Sequence, residues 1–298
     1  MSPQYPVPGE TVIFIAEDYT EDLRNSTLTW TVNGVTKDSG IGDVQFQMTA
    51  AGGGATETVG LTVSTQSGTV LQKSLSFTPE SVDILWQAHS FVPPLYQGKA
   101  LFPYEGTATF TAMPSFALNT PQKAVYSWSL GGSPLQNVSG YGKNTITLTQ
   151  SILMKPLILS VVATSPDGSI SAENSITLNG TAPVVVLYQD NLLYGMLLNQ
   201  SIGTSNGGGF NLGSGQVSIR AIPYFFDSTA PFSSNTSFEW NMNGQTLANE
   251  TGPVLTVAAP AGQSGSSAVS STVSNPNSTF QTASANTSVT FTNQPIGQ

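Results

Sequence analysis

Three tryptophans constrain this chain more than any other feature. Each sits in a short alternating strand that ends in a glycine-containing turn. They are Leu28-Thr-Trp30-Thr-Val-Asn-Gly34, Tyr126-Ser-Trp128-Ser-Leu-Gly-Gly132 and Phe238-Glu-Trp240-Asn-Met-Asn-Gly244. Their spacing is close to the roughly 100 residues of one immunoglobulin-type sandwich, and self-similarity at a fixed period marks a repeated structural unit.

The flanks repeat in step. An opening strand precedes each tryptophan: Gly9 to Ala16, Gly106 to Met113 and Gly215 to Ile222. A second strand follows: Val44 to Met48, Asn144 to Leu148 and Pro253 to Val257. Each unit closes with a hairpin whose turn is Gln66-Ser-Gly68, Pro166-Asp-Gly168 or Asn275-Pro-Asn277. Pro-Asp-Gly combines a preset φ, a side-chain acceptor and a residue tolerant of positive φ, which is turn chemistry.

Alternation with period two dominates. Leu28, Trp30 and Val32 share one face, and Thr29 and Thr31 the other. Apolar residues on one face and β-branched polar ones on the other suit a half-solvated antiparallel sheet. No long window carries the 3.6 period of a helix, and 19 Pro with 29 Gly punctuate the strands. The expected fold is all-β: three tandem immunoglobulin-like β-sandwich domains, 1–79, 80–180 and 181–298, in a rod-like array. The second and third units add a first strand, Ile84-Leu-Trp-Gln-Ala88 or Val186-Leu-Tyr-Gln-Asp190. An apolar segment follows it, expected to cross between sheets.

Composition narrows function. Only 8% of the 298 residues are charged, with 8 Lys plus Arg against 17 Asp plus Glu and a net charge of −9. Scattered basic residues give no footprint for nucleic acid. With no Cys and one His, disulfides, thiolate sites and multi-His metal centres are excluded. Each core tryptophan must therefore pack without a covalent staple; for Trp30 the expected partners are Leu61 and Val63. No apolar run reaches the 18 residues of a membrane-spanning helix. The beginning, Met1-Ser-Pro-Gln-Tyr-Pro6, has no basic and apolar leader. The low charge and the abundant Ser and Thr nevertheless predict an extracellular, cell-surface location, with signal and anchor segments outside this sequence.

Four local candidates stand out. Glu17, Asp18, Glu21 and Asp22 cluster in one loop; carboxylates are hard ligands, so the loop is a candidate Ca²⁺ site, weighed against a merely solvated acidic loop. No other cofactor is expected. His89 is the lone imidazole, but no Gly-x-Ser-x-Gly elbow accompanies it, so no enzymatic role is assigned. Tyr96, Phe102, Tyr104, Tyr188, Tyr194 and Phe210 are candidate exposed rings. Ile222-Pro-Tyr224-Phe225-Phe226 with Phe232 forms the best sticky patch. It is read either as inter-domain packing or as a platform on which sugars stack.

The stretch Val82-Asp-Ile-Leu-Trp-Gln-Ala-His-Ser-Phe-Val-Pro-Pro-Leu-Tyr-Gln-Gly-Lys-Ala-Leu101, the Leu193-Tyr-Gly195 region and Val217-Ser-Ile-Arg-Ala-Ile-Pro-Tyr-Phe-Phe226 carry a family resemblance. The chain resembles exported tandem immunoglobulin-like (PKD-type) domain proteins of candidate-phyla bacteria, associated with type IV pilus gene clusters. That resemblance implies secretion, a surface location and no catalytic residues. The expected role is structural or adhesive, with surface or pilus proteins as partners. The alternative is a carbohydrate-binding module using loop aromatics.

Overall fold

A computed structural model describes residues 1–94, 96–149, 155–203, 209–213, 215–227 and 236–292. The chain packs as two compact units. The first comprises Met1–Leu85, Phe110–Ile146 and Leu157–Thr177; the second comprises Trp86–Thr109, Thr147–Pro156 and Leu178–Gln298. Among the described residues the only helices are four three-residue 3₁₀ turns, as expected of a chain with period-two patterning.

The first sandwich lies in the first unit. Strands β1 (Thr11–Ile15) and β4 (Gln45–Thr49) form a two-stranded antiparallel sheet. Facing it is a four-stranded sheet of β2 (Thr27–Val32), β3 (Val35–Ile41), β5 (Glu57–Ser64) and β6 (Val70–Phe77), ordered β3-β2-β5-β6. The alternation works as read: Val12 and Phe14 from one sheet meet Trp30, Val32, Val59 and Phe77 from the other. Leu61 packs partly against that cluster, while Val63 joins a neighbouring one with Leu23 and Leu28.

The second sandwich repeats the plan with two strands more, one in each sheet. β7 (Val82–Ala88), β8 (Thr107–Pro114) and β12 (Thr145–Thr149) form a sheet ordered β12-β8-β7. The opposing sheet runs β10-β9-β13-β14, from β9 (Val125–Leu130), β10 (Ser133–Pro134), β13 (Leu157–Thr164) and β14 (Ser171–Leu178), with β11 (Gly140–Tyr141) also pairing β9. Trp128, Phe110, Leu159 and Val161 are buried. On the outer face of β8 and β12, hydroxyl pairs line up across the strands. They are Thr107–Thr149 at 3.2 Å, Thr109–Thr147 at 3.3 Å and Thr111–Thr145 at 3.2 Å. Such cross-strand Thr pairs stabilise a solvated sheet face. The division between the two units passes through β7, β8 and β12.

The third sandwich lies in the second unit. β15 (Val184–Asn191), β16 (Gly195–Ser201), β18 (Gln216–Tyr224) and β21 (Val254–Ala258) are ordered β16-β15-β18-β21. β17 (Phe210–Gly213), β19 (Ser237–Met242), β20 (Gln245–Thr246), β22 (Gly265–Ser274) and β23 (Thr282–Phe291) are ordered β17-β23-β22-β19-β20. Between the sheets Trp240 packs with Leu187, Ile219, Leu255, Val269 and Val289.

One expectation changes here. The segment after β15 is not a crossing but a hairpin, because Asn191 Oδ1 accepts the Leu193 and Tyr194 N–H groups and Gly195 takes φ +70°. An Asx acceptor followed by a left-handed glycine reverses the chain within a few residues. The change of sheet comes later, where β17 pairs parallel with β23.

Candidate interaction site

Two of the four carboxylates in the acidic loop, Asp18 and Asp22, bond within the loop and its first turn. Asp18 Oδ1 accepts the Thr20 hydroxyl and N–H, each at 2.7 Å, and the Glu21 N–H at 3.0 Å. The Thr20 hydroxyl is the largest influence holding the Asp18 carboxyl below its usual range. Asp22 accepts from the Arg24 N–H at 3.1 Å and the Asn25 amide at 2.7 Å. Among the described residues, no group of three or more carboxylates and imidazoles gathers closely enough to hold a metal ion.

His89 Nε2 lies 2.8 Å from the Thr109 hydroxyl. Among the described residues no hydrogen bond or ion pair joins this imidazole to a carboxylate.

The patch at residues 222–226 is a correction. Tyr224 and Phe225 are each 9% exposed, Ile222 2% and Phe226 1%; Phe232 lies outside the described residues. What covers the rings is the connection between β7 and β8. Phe91, Val92 and Leu101 pack against Tyr188, Ile222, Tyr224 and Phe225, and the Tyr96 ring meets both Tyr224 and Phe225 edge-on. Phe102, offered as an exposed ring, is also buried. Desolvation, then the 2.7 Å bond to the Tyr188 hydroxyl, pushes the Tyr224 phenol far above its usual range.

Backbone bonds clip this connection in place. Phe91 N–H donates to Phe226 O and Phe225 N–H donates to Phe91 O, both at 2.9 Å. Thr181 N–H donates to Phe102 O at 2.7 Å, and Tyr104 N–H donates to Thr181 O at 3.1 Å. Gln281, fully buried, donates to Tyr104 O at 2.7 Å and accepts from the Asp227 N–H at 3.0 Å. A buried amide satisfied on both ends locks one arrangement. Nothing in the sequence singles out Gln281, which reads as one more surface glutamine.

Among the described residues two further exposed apolar features matter, and of their residues the sequence reading had singled out only Tyr194 as an exposed ring. The first is the β15–β16 hairpin tip, where Leu192, Leu193 and Tyr194 are 94%, 86% and 78% exposed. The second is a groove of about 480 Å³ in the first sandwich, lined by Phe14, Ile15, Trp30, Leu61, Leu71 and Leu75 among others.

The groove runs beside an edge of β1 that no described strand pairs. In the other sandwiches the matching strands are flanked on both sides, β8 by β12 and β7, and β18 by β21 and β15. β1 has β4 on one side and on the other only Ser2, which exchanges bonds with Ile13 at 2.8 and 2.9 Å. Glu10 and Ala16 bond towards β4, so strand alternation turns the peptide groups of Thr11, Ile13 and Ile15 to the open edge. The inner face of β6 is open too: Phe77 is buried, but Leu75 and Leu71 are exposed. Counted back from the strand ends, their counterparts on β14 are Ile176 and Ala172, which are half-buried and buried. Between those two, Asn174 donates to Val82 O on β7 at 2.7 Å.

Paired sheets around buried tryptophans, three times over, define an all-β protein of tandem immunoglobulin-like sandwiches. No protein-family model matches the chain, and no curated protein matches it in sequence. Solved structures do show likeness. The fibronectin(III)-like modules of Clostridium thermocellum CbhA share 10% identity over 60% of this chain and 92% of that one, with a TM-score of 0.31. The central fibronectin-III array of RIM-binding protein shares 9% over 97% and 99%, also at 0.31. The Bacteroides ovatus glucan-utilisation protein SGBP-B, in complex with a mixed-linkage heptasaccharide, shares 14% over 97% and 65%, at 0.22. Likeness at this level says nothing of function, and the fold rests on the chain's own sheets.

Proposed function

We propose that this is a non-catalytic extracellular surface protein, structural or adhesive, acting through protein–protein contacts, with 1–79, 80–180 and 181–298 as its three folding units. The exposed tip Leu192-Leu193-Tyr194 carries the reading. Three consecutive large apolar side chains held in water on a hairpin mark a contact surface. The clipped connection at residues 89–105 supports it, since a contact surface needs a fixed support. A pilus-associated setting is the finer form of the proposal.

The test is a Leu192→Ser, Leu193→Ser, Tyr194→Ser triple variant in the source cells. Antibody should label intact cells for both forms, and the variant should melt as the parent does yet lose attachment or assembly. Labelling only after permeabilisation, or unchanged attachment, overturns the reading. The carbohydrate alternative loses most of its platform with Tyr224, Phe225 and Phe226 buried. Sugar binding on a glycan array that vanishes in Tyr194→Ala would restore it.

A further inference from the structure

We propose that the partner met by the β15–β16 hairpin tip is a second copy of this chain. Each copy lays Leu192, Leu193 and Tyr194 into a pocket at the base of the other copy's hairpin, so the contact is reciprocal and twofold. The proposal names a partner for the protein-contact reading and rests on it.

A projection and a receptacle sit on one element. The tip stands almost wholly in water and is held in shape, because Asn191 Oδ1 accepts two N–H groups across the turn. A preformed projection loses little conformational freedom on binding. Beside it opens a pocket of about 390 Å³, walled by Phe91, Pro93, Pro94, Met196 and Ile222 and including the Arg220–Asp190 ion pair. Asp190 of that pocket lies on β15, and Gly195 and Met196 lie on β16. Pocket and tip therefore belong to the same hairpin. A twofold axis between two such hairpins sets each tip over the other's pocket, which is the self-complementary contact of most homodimers.

Charge and area favour this occupant. A net charge of −9 opposes self-association through most faces. From Val184 to Phe226, however, the only charged residues are Asp190 and Arg220, and they neutralise each other at 2.5 Å. Two copies can meet there with no like charges opposed. Each large side chain of the tip offers roughly 150 Å² to a partner. With the pocket walls they cover, two reciprocal tips bury about 1,200–1,800 Å², the range of a specific, stable interface. A lipid surface would engage the tip and leave the pocket idle.

The test is sedimentation equilibrium on the full chain. The parent should show a monomer–dimer equilibrium with a Kd below about 100 μM. The Leu192→Ser, Leu193→Ser, Tyr194→Ser variant should dimerise at least about tenfold more weakly. Pro94→Asp, which sets a carboxylate at an exposed position of the pocket wall, should do the same without shifting the melt. Mixing the two variants should restore more dimer than either forms alone, because one intact tip then meets one intact pocket. A parent that stays monomeric up to about 1 mM overturns the proposal. A dimer that Pro94→Asp leaves untouched, or no gain on mixing, overturns it in favour of tip against tip. Phosphatidylcholine vesicles that carry down the parent but not the triple variant, with no dimer, overturn it in favour of a lipid surface. A monomeric parent whose triple variant still loses attachment on cells strikes only the second copy and leaves the protein-contact reading standing.

Discussion

The indole N–H of Trp128 donates to the carbonyl of Lys143 at 2.9 Å. The same bond runs from Trp30 to Asp43 at 2.9 Å and from Trp240 to Gly252 at 2.8 Å. Each acceptor lies two residues before the strand that flanks the opening strand in the opposite sheet, namely β12, β4 and β21. One ring therefore fills the core and ties the two sheets together, where a chain with cysteines can use a disulfide.

Replacing any of these tryptophans with Ala should cost about 3–5 kcal/mol, from lost burial and the cavity left behind. Trp→Phe keeps most of the ring and removes the donor, and should cost about 1–3 kcal/mol because the carbonyl is stranded. Urea unfolding followed by circular dichroism measures both. An Ala variant that unfolds at the parent midpoint would remove that residue from the core.

Gln281→Leu keeps most of the volume and deletes the bonds to Tyr104, Asp227 and Asn275. A buried group left unsatisfied costs about 1–3 kcal/mol, so the variant should lose at least about 2 kcal/mol. Amide exchange at Asp227 should quicken in step, and an unchanged rate would show that the amide bond there is dispensable.

The open groove makes two leucines and one phenylalanine behave differently on the same strand. Leu75→Ser should change stability by no more than about 0.5 kcal/mol, as for other exposed positions. Phe77→Ala, one turn of the pleat away, should cost about 3–5 kcal/mol. Chemical unfolding of the two variants side by side decides whether β6 is covered.

Two groups shape the pH profile from opposite ends. Burial pushes the Tyr126 phenol from 10.0 up to about 12, and its hydroxyl donates to Pro121 O at 2.6 Å. The unfolded chain releases this proton first, so the contribution is intact below pH 10.0 and is lost as pH rises to about 12. Asp167 is held at about 2, against 3.8, chiefly by the Ser165 hydroxyl and then by the Ser169 hydroxyl and N–H. Its contribution is present above 3.8 and fades as pH falls towards about 2. Absorbance titration of the tyrosines and carboxylate NMR shifts should return these midpoints; ordinary values in Tyr126→Phe difference spectra would refute the burial.

Much of the architecture was legible because period-two patterning is local. Thr145, Thr147 and Thr149 stand outward and Ile146 and Leu148 inward, as alternation alone dictates. What covers a face is not local. Tyr224 and Phe225 look sticky in sequence, yet the connection some 120–130 residues earlier buries them. Leu71 and Leu75 alternate with polar residues as core positions do, yet they are exposed, with no described strand above them. At the hairpin tip Tyr194 was legible as an exposed ring, but Leu192 and Leu193 suggested burial, whereas Asn191 and Gly195 fix a turn that leaves them in water.

The threonine rows on β8 and β12 carry one more implication. Neutral hydroxyls meet across that face, and Arg220–Asp190 is the one ion pair among the described residues. Dissolved electrolytes weaken bonds between exposed charges and leave dipolar ones nearly untouched. The fold of such a molecule should therefore depend little on the salinity around it.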